Sequence, residues 1–376
     1  MATKKVDNNI NKNIGDEEEV TAETAQEFTT DVKKCPNCGS NFHYNPTKYC
    51  LECIHCGSTQ AIEGKAASEI SFHELPKEND TDWATGMHSY RCNNCGAKTM
   101  VDGFEISPSC TFCGATNIVE IDELPGLKPN AVLPFSRNRE ETFGYAQKWL
   151  KKKFFAPSKL KKQFKIDTIK GIYIPVFTFD SKVCSIYNGR LGQRRTRVVT
   201  RNGKTHTETY IYWFKVNGTI DKLIDDLLVE ACDKVSQSEM EKIQPFDTFN
   251  SVEYAKSYLA GFSSLRYNQG INQSWETAKA IIDEGIRKQI MKMYNADVVD
   301  YLNLNTFHSH TSYKYLLVPV WMCNYDYKGK KYGFLMNGRT GKVTGKTPVS
   351  AVKVTGVVFF ALALIAVIIV LINYFG

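Results

Sequence analysis

Cys35-Pro-Asn-Cys38-Gly39 and Cys53-Ile-His-Cys56-Gly57 are followed by Cys92-Asn-Asn-Cys95-Gly96 and Cys110-Thr-Phe-Cys113-Gly114, and this doubled pattern decides how the first third of the chain must fold. Fourteen residues separate the two pairs within each set, and every ligand of the second set lies 57 residues beyond its counterpart in the first. Two Cys-x-x-Cys pairs across a short loop present four thiolates that close tetrahedrally on one Zn²⁺, leaving no position for water or substrate. All four pairs are followed by glycine, the residue that most easily adopts the positive φ of a knuckle wrapped around a metal. Two structural Zn²⁺ ions are therefore expected, one on Cys35, Cys38, Cys53 and Cys56, the other on Cys92, Cys95, Cys110 and Cys113. The repeated spacing argues against disulfides, and none of the pairs opens the βαβ pattern of a redox Cys-x-x-Cys.

Cys50 overlaps the first site, since Cys50, Cys53 and Cys56 offer two alternative ligand pairs. The 57-residue register selects Cys53 and Cys56. Cys184, Cys232 and Cys323 are scattered and read as buried or half-buried free thiols.

The 376 residues, 43% hydrophobic and 12% aromatic, can build a substantial core and exclude a disordered protein. Residues 1–31 lack a hydrophobic period, carry the acidic run Asp16–Glu19 and read as a solvated tail. No apolar signal segment follows the N-terminus, so the bulk of the chain is expected in a reducing compartment where thiolates stay available for zinc. The expected order is a ribbon over 32–62, a linker over 63–90 containing a short strand at Ile70-Ser-Phe72, a second ribbon over 91–120, and an α+β body over 127–350 with β-meanders.

In the body, a helix is expected from Arg139 to about Phe155, stopped before Ala156-Pro157. Ile172–Phe179 reads as a strand whose Pro175 suggests an edge or a bulge. Residues 183–216 read as a meander turning at Asn202-Gly203, and since the net charge of +7 is modest its distribution matters more than its sum. Arg190, Arg194, Arg195, Arg197, Arg201 and Lys204 include no acidic neighbour in the run, a basic face that phosphates or anionic lipid could meet. Helical periodicity marks Asp221 to about Ser236 and Ser274–Asn295, the latter with Ala278, Ile281, Ile282, Ile286, Ile290 and Met293 along one side. A second strand segment starts at Leu316 and turns at Lys328-Gly329-Lys330 and Asn337-Gly338. Its Leu316-Leu-Val-Pro319-Val-Trp321 echoes Ile172-Tyr-Ile-Pro175-Val-Phe177 at an offset of 144, hinting at an internal duplication.

Val354–Ile372 is nineteen residues without a charge, long enough to span roughly 28 Å of hydrocarbon as a helix. Lys342, Lys346 and Lys353 precede it and no charge follows, so the positive-inside rule puts a single-pass protein in the cell membrane with its N-terminal bulk cytoplasmic. Catalytic machinery is not expected. Gly341-Lys-Val-Thr-Gly345-Lys346-Thr347 has three residues between its glycines where a phosphate loop has four, and Pro348 stands where the helix should begin. His308/His310 and Asp225/Asp226 read as surface pairs without a third partner.

Cys35-Pro-Asn-Cys-Gly39, Leu51-Glu-Cys-Ile-His-Cys-Gly57, Ile172–Phe177 and the Gly-Lys-Lys-Tyr and Asn-Gly-Arg-Thr-Gly-Lys blocks within Tyr325–Ser350 resemble a YdjG-type family of bacterial membrane proteins with TFIIB-type zinc ribbons. Its members accompany phage-shock-like envelope stress systems and are often labelled primosomal helicases. The resemblance implies a tail-anchored, non-enzymatic adaptor that recruits cytoplasmic proteins, such as phage-shock-protein-A-like or band-7-domain partners, to the membrane. The alternative left by the residues themselves is a membrane-tethered nucleic-acid binder.

Overall fold

The computed structural model describes residues 34–74, 87–102, 109–121, 126–163, 166–201, 203–328 and 330–375. The expected tail over 1–31, most of the linker's second half, Asn202 and Gly329 lie outside the described residues. The fold is mixed α+β. Its strands are β1 (Phe42–Asn45), β2 (Cys50–Cys53), β3 (Thr59–Ala61), β4 (Ile70–Ser71), β5 (Met87–Cys92), β6 (Lys98–Asp102), β7 (Ile118–Ile121), β8 (Ala131–Val132), β9 (Ile169–Arg201), β10 (Lys204–Glu230), β11 (Val252–Glu253), β12 (Ser263–Leu265), β13 (Val298–Tyr327), β14 (Lys330–Asn337) and β15 (Val343–Gly345). The helices are α1 (Arg139–Lys152), α2 (Ser158–Gln163), α3 (Gln237–Ile243), α4 (Ile271–Met293) and α5 (Ala351–Phe375).

Two strands of 33 and 30 residues, β9 and β13, run antiparallel through the middle of the main sheet. The order β11-β8-β13-β9-β12-β6 is a palindrome about them. Ile174 pairs with Val318, and these two residues are 144 apart (318 − 174), the offset of the sequence echo. The flanking registers match as well, because Ser263 lies beside Ile172 in a parallel pair just as Ala131 lies beside Leu316.

The two echo prolines sit in these central strands rather than at an edge or a bulge. In a ladder, one residue's N–H and C=O face the same neighbour. The Pro175 carbonyl accepts from the Ala231 N–H at 3.1 Å, at the end of the β9–β10 ladder, and the Pro319 carbonyl accepts from Gly338 at 2.9 Å, at the end of the β13–β14 ladder. Each missing N–H thus falls where one partner strand ends and the next begins, which is why a central strand tolerates it.

Both main body helices form close to where the periodicity puts them. α1 starts behind a capping box of Asn138 and Glu141 and stops at Lys152, three residues before the expected end. α4 buries Ala278, Ile282, Ile286 and Ile290 against Val183, Leu191, Ile220 and Ile224 of the β9–β10 hairpin and against Phe179, whereas Met293 is exposed. The helix expected over Asp221–Ser236 is instead strand, since β10 continues to Glu230 and helix resumes only at Gln237. Ile220, Ile224 and Leu228 are all buried, and a spacing of four satisfies a strand's period of two as well as a helix's 3.6. A bulge between Ile224 and Leu227 then reverses the alternation, so that Leu228 is buried on the opposite face from Ile224 while Val229 faces α4. Likewise the second strand segment begins at Val298, eighteen residues before Leu316, because β13 is paired with β9 along its length.

Neither ribbon stands apart from the body. Cys35, Phe42, Tyr44, Leu51 and Cys53 share a core with Phe135, Tyr173 and Trp321, and the Tyr44 hydroxyl donates to the Phe135 carbonyl at 3.1 Å. On the other side, β6 of the second ribbon pairs with β12, so the body sheet runs on into β5 and β7.

Phe135 is fully buried and stacks on Phe262 at 4.4 Å with Trp321 at 4.9 Å and Tyr173 at 5.1 Å. Phe135→Ala should cost about 3–5 kcal/mol, read as a lowered midpoint in denaturant unfolding, and should loosen the first ribbon with the body.

Candidate metal centres

The four knuckles are built alike. Gly39, Gly57, Gly96 and Gly114 have φ of 70°, 74°, 70° and 72°, and their N–H groups donate to the carbonyls of Cys35, Cys53, Cys92 and Cys110 at 2.8–3.0 Å. The backbone N–H groups of Ser40, Ser58, Ala97 and Ala115 donate to the sulfurs of Cys38, Cys56, Cys95 and Cys113; Cys56 and Cys113 are lowered, while desolvation and the neighbouring thiols leave Cys38 and Cys95 raised.

These turns gather Cys35, Cys38, Cys53 and Cys56 into one group and Cys92, Cys95, Cys110 and Cys113 into another, each with all sulfurs within 4.8 Å of one another. Cys35–Cys56 and Cys38–Cys53 separations are 3.5 Å, and Cys92–Cys113 and Cys95–Cys110 are 3.6 and 3.9 Å. A tetrahedron with metal–sulfur bonds of 2.3 Å has edges of about 3.8 Å, so both sets fit a four-thiolate metal site. Cys50 stays outside, paired in β2 with Asn45 and Ala61. All twelve cysteines are free, and Cys184 is half-buried while Cys232 and Cys323 are buried.

Burial separates the two centres. Cys38 and Cys56 are exposed, whereas their counterparts Cys95 and Cys113 are half-buried. The Ser58 hydroxyl, 3.1 Å from the Cys56 sulfur, together with the Ser58 N–H brings that thiol down to about 6, while desolvation raises Cys110 to about 11.

Two further clusters lie on the body. The expected basic run divides between the faces of a two-stranded arm. Pairing of β9 with β13 ends at Gly192, so the hairpin beyond it projects for nine β9 residues, about 30 Å at 3.4 Å per residue. Cross-strand register puts Arg195, Arg197, Arg201 and Lys204 on one face and Arg190 and Arg194 on the other. Arg195 stacks over Tyr212 at 4.0 Å, Arg197 over Tyr210 at 5.6 Å and Arg190 over Trp213 at 5.4 Å. The acids missing from the run come from elsewhere: Glu208 pairs with Arg197 and Arg201 at 3.2 Å, Asp300 with Arg190 at 3.4 Å, and the Arg194 N–H donates to Asp297.

The second cluster corrects the surface reading of Asp226. Glu69, Asp180 and Asp226 converge within 4.8 Å around the buried Lys314, whose ammonium is 2.8 Å from Asp226 and 3.4 Å from Glu69. Asp226 sits at the β10 bulge with φ 48°, and Thr248 donates to it at 2.7 Å. Asp225 is exposed, as expected, but His308 is half-buried against Trp275 at 5.1 Å, so only His310 of that pair is a surface residue. No local motif could have shown the cluster, since its members are up to 245 residues apart.

The fold and the two thiolate quartets define an α+β ribbon protein carrying one apolar C-terminal helix. It is 31% identical over 349 residues to the uncharacterized protein YdjG of Bacillus subtilis (strain 168), an overlap of 89% of this chain and 96% of that one. The chain belongs to the YdjG family. No protein-family model matches it, and neither does any solved structure.

A chelator should strip bound metal in two phases, the faster from the exposed first centre. Cys53→Ser should abolish the fast phase and one equivalent of metal while Cys50→Ser keeps both; metal analysis giving the reverse would refute the 57-residue register. Burial, with Glu69 beside it, raises Asp180 to about 7. A carboxyl with a raised folded pKa stabilises the fold below its unfolded pKa and loses that contribution as pH climbs toward 7. Asp180→Asn should therefore gain melting temperature relative to wild type between pH 5 and pH 8, with metal saturating throughout.

Proposed function

We propose that the chain is a tail-anchored adaptor that holds two zinc ribbons and an α+β body at the cytoplasmic face of the cell membrane and recruits protein partners there. One observation carries this reading: Ala351–Tyr374 is a helix of mean hydropathy 3.1 whose apolar stretch beyond Lys353 is left exposed, with none of it buried by the described residues. A core helix would be covered, so this one calls for a bilayer. Lys342, Lys346 and Lys353 on its body side support the cytoplasmic orientation.

Four thiolates suit a soft ion, and Zn²⁺ is the proposed occupant of both centres because it is redox-silent and content with a tetrahedral sulfur shell. Such closed centres shape a surface rather than turn over a substrate. The first ribbon offers one: Ile54, between two ligands, is 66% exposed, and Tyr49 is exposed nearby in sequence. Phage-shock-protein-A-like or band-7-domain proteins of an envelope stress system are the partners that the family resemblance suggests.

A second reading, a nucleic-acid binder, has the arm in its favour, where exposed Tyr210 and Tyr212 stack with arginines as single strands are often held. Glu208, Asp297 and Asp300 offset much of that charge.

Affinity capture from detergent-solubilised membranes separates the two. The adaptor reading expects specific proteins with the intact chain, at least tenfold fewer with Ile54→Glu, and no change with Arg195→Ala/Tyr212→Ala. Recovery of nucleic acid alone, released steeply by salt and lost in the arm variant, would overturn it.

A further inference from the structure

The body meets the start of α5 at the elbow between α1 and α2. The Ser350 N–H donates to the Phe155 carbonyl at 2.8 Å, and the Lys353 ammonium donates to the carbonyls of Phe154 at 3.0 Å and Ala156 at 2.8 Å. Only residues 346–350 separate β15 from the helix, and the last of them is one of these contacts. The elbow therefore lies level with the first turn of α5.

Its surface has an unusual composition for a soluble face. Phe154 is 62% and Phe155 42% exposed, their rings edge-to-face at 5.2 Å, and Val349 just before α5 and Val352 in its first turn are exposed as well. From Lys148 to Lys165 the sequence has eight lysines and no acidic residue, and none follows Asp326 to the C-terminus. Lys148, Lys151, Lys152, Lys153 and Lys159 are exposed. Ala156, Pro157 and Leu160 are buried, so the aromatic pair is held outward by a packed turn.

From this we infer that the α1–α2 elbow is a second membrane contact, which seats Phe154 and Phe155 at the acyl boundary of an anionic phospholipid bilayer and its lysines among the headgroup phosphates. The inference rests on the reading that α5 spans the membrane. Aromatic rings favour that boundary, and lysines gather at an anionic leaflet while their stems lie along apolar surface. Continuity with α5 selects a bilayer over a protein: once the helix is inserted, the elbow is beside the headgroups. With the body pinned at both Ser350 and the elbow, its ribbons and arm keep a fixed attitude to the membrane instead of swinging on a tether.

The test uses the full chain in nanodiscs of phosphatidylcholine alone or with 30% phosphatidylglycerol, carrying a fluorescent amino acid at position 154, at 364 in α5 or at 198 on the arm. A shallow nitroxide lipid should quench position 154 at least twofold more than position 198, and a deep one should quench position 364. Phosphatidylglycerol should strengthen the quenching at 154 and slow amide exchange over 151–161. Changing Lys148, Lys151, Lys152, Lys153 and Lys159 to glutamine should remove that lipid dependence. Quenching at 364 without quenching at 154 overturns the inference alone. Absence of quenching at 364 overturns the spanning reading and the inference with it.

Discussion

The antiparallel ladder between β9 and β13 is the constraint on which the molecule depends. It runs from Ile169 beside Cys323 to Gly192 beside Val298, and it is flanked on both sides by short strands that come from the opposite half of the chain. β8 precedes α1 and β9 yet pairs with β13, while β12 precedes α4 and β13 yet pairs with β9. Each half is completed by the other. A shift of one residue in the central ladder would exchange the two buried faces of Ile172–Phe179, carrying Ile172, Ile174 and Val176 out of their cluster, and would misalign both flanking strands. The packed core fixes the register in turn, because Ile172, Ile174 and Val176 share one cluster with Leu316, Val318 and Val320.

This dependence changes what the metal centres mean for stability. A ribbon of a few short strands has little core, and metal usually supplies most of its folding free energy. Here the buried first cysteine of each knuckle belongs to the body's own apolar clusters, Cys35 and Cys53 with Phe135 and Trp321, Cys92 and Cys110 with Ile172 and Val318. Metal binding and body packing consequently support one another. The second centre is the more deeply embedded, since its strand β6 is paired with β12 and the Lys170 ammonium reaches back to Ser109 at 2.6 Å.

Features set by local chemistry were legible in the sequence. Ligand spacing located both quartets, and the register between them separated Cys53 from Cys50, which the structure leaves out. α1 follows from the stop at Ala156-Pro157, α4 from its apolar periodicity and α5 from its composition alone. The failures share one cause, that a long strand in a sheet takes its identity from partners and not from its own pattern. Residues 221–230 have buried positions four apart, which fit either element until β9 is seen beside them. Residues 298–315 carry the exposed Asp300, Asn303 and Asn305, which strands disfavour, and become strand because β9 pairs with them. The acidic partners of the arm arginines and the Glu69–Asp180–Asp226–Lys314 group are products of topology, invisible at any spacing.

The palindromic order and the 144-residue offset at Ile174 and Val318 form the arrangement that duplication of one strand–helix–hairpin unit would leave. Where the halves differ is then informative. After its proline the first half extends a hairpin to Arg201 and Lys204, whereas the second turns back between Tyr327 and Lys330. The first half's helix has 14 residues and breaks into the lysine-rich elbow beside α5, while the second half's has 23 and stays under the hairpin, covering it with Ile282, Ile286 and Ile290. The symmetric part makes the core. The asymmetric parts are the arm, the elbow and the apolar helix, which are the surfaces that project from that core, and they put the apolar helix and the arm on elements that the central ladder connects to one another.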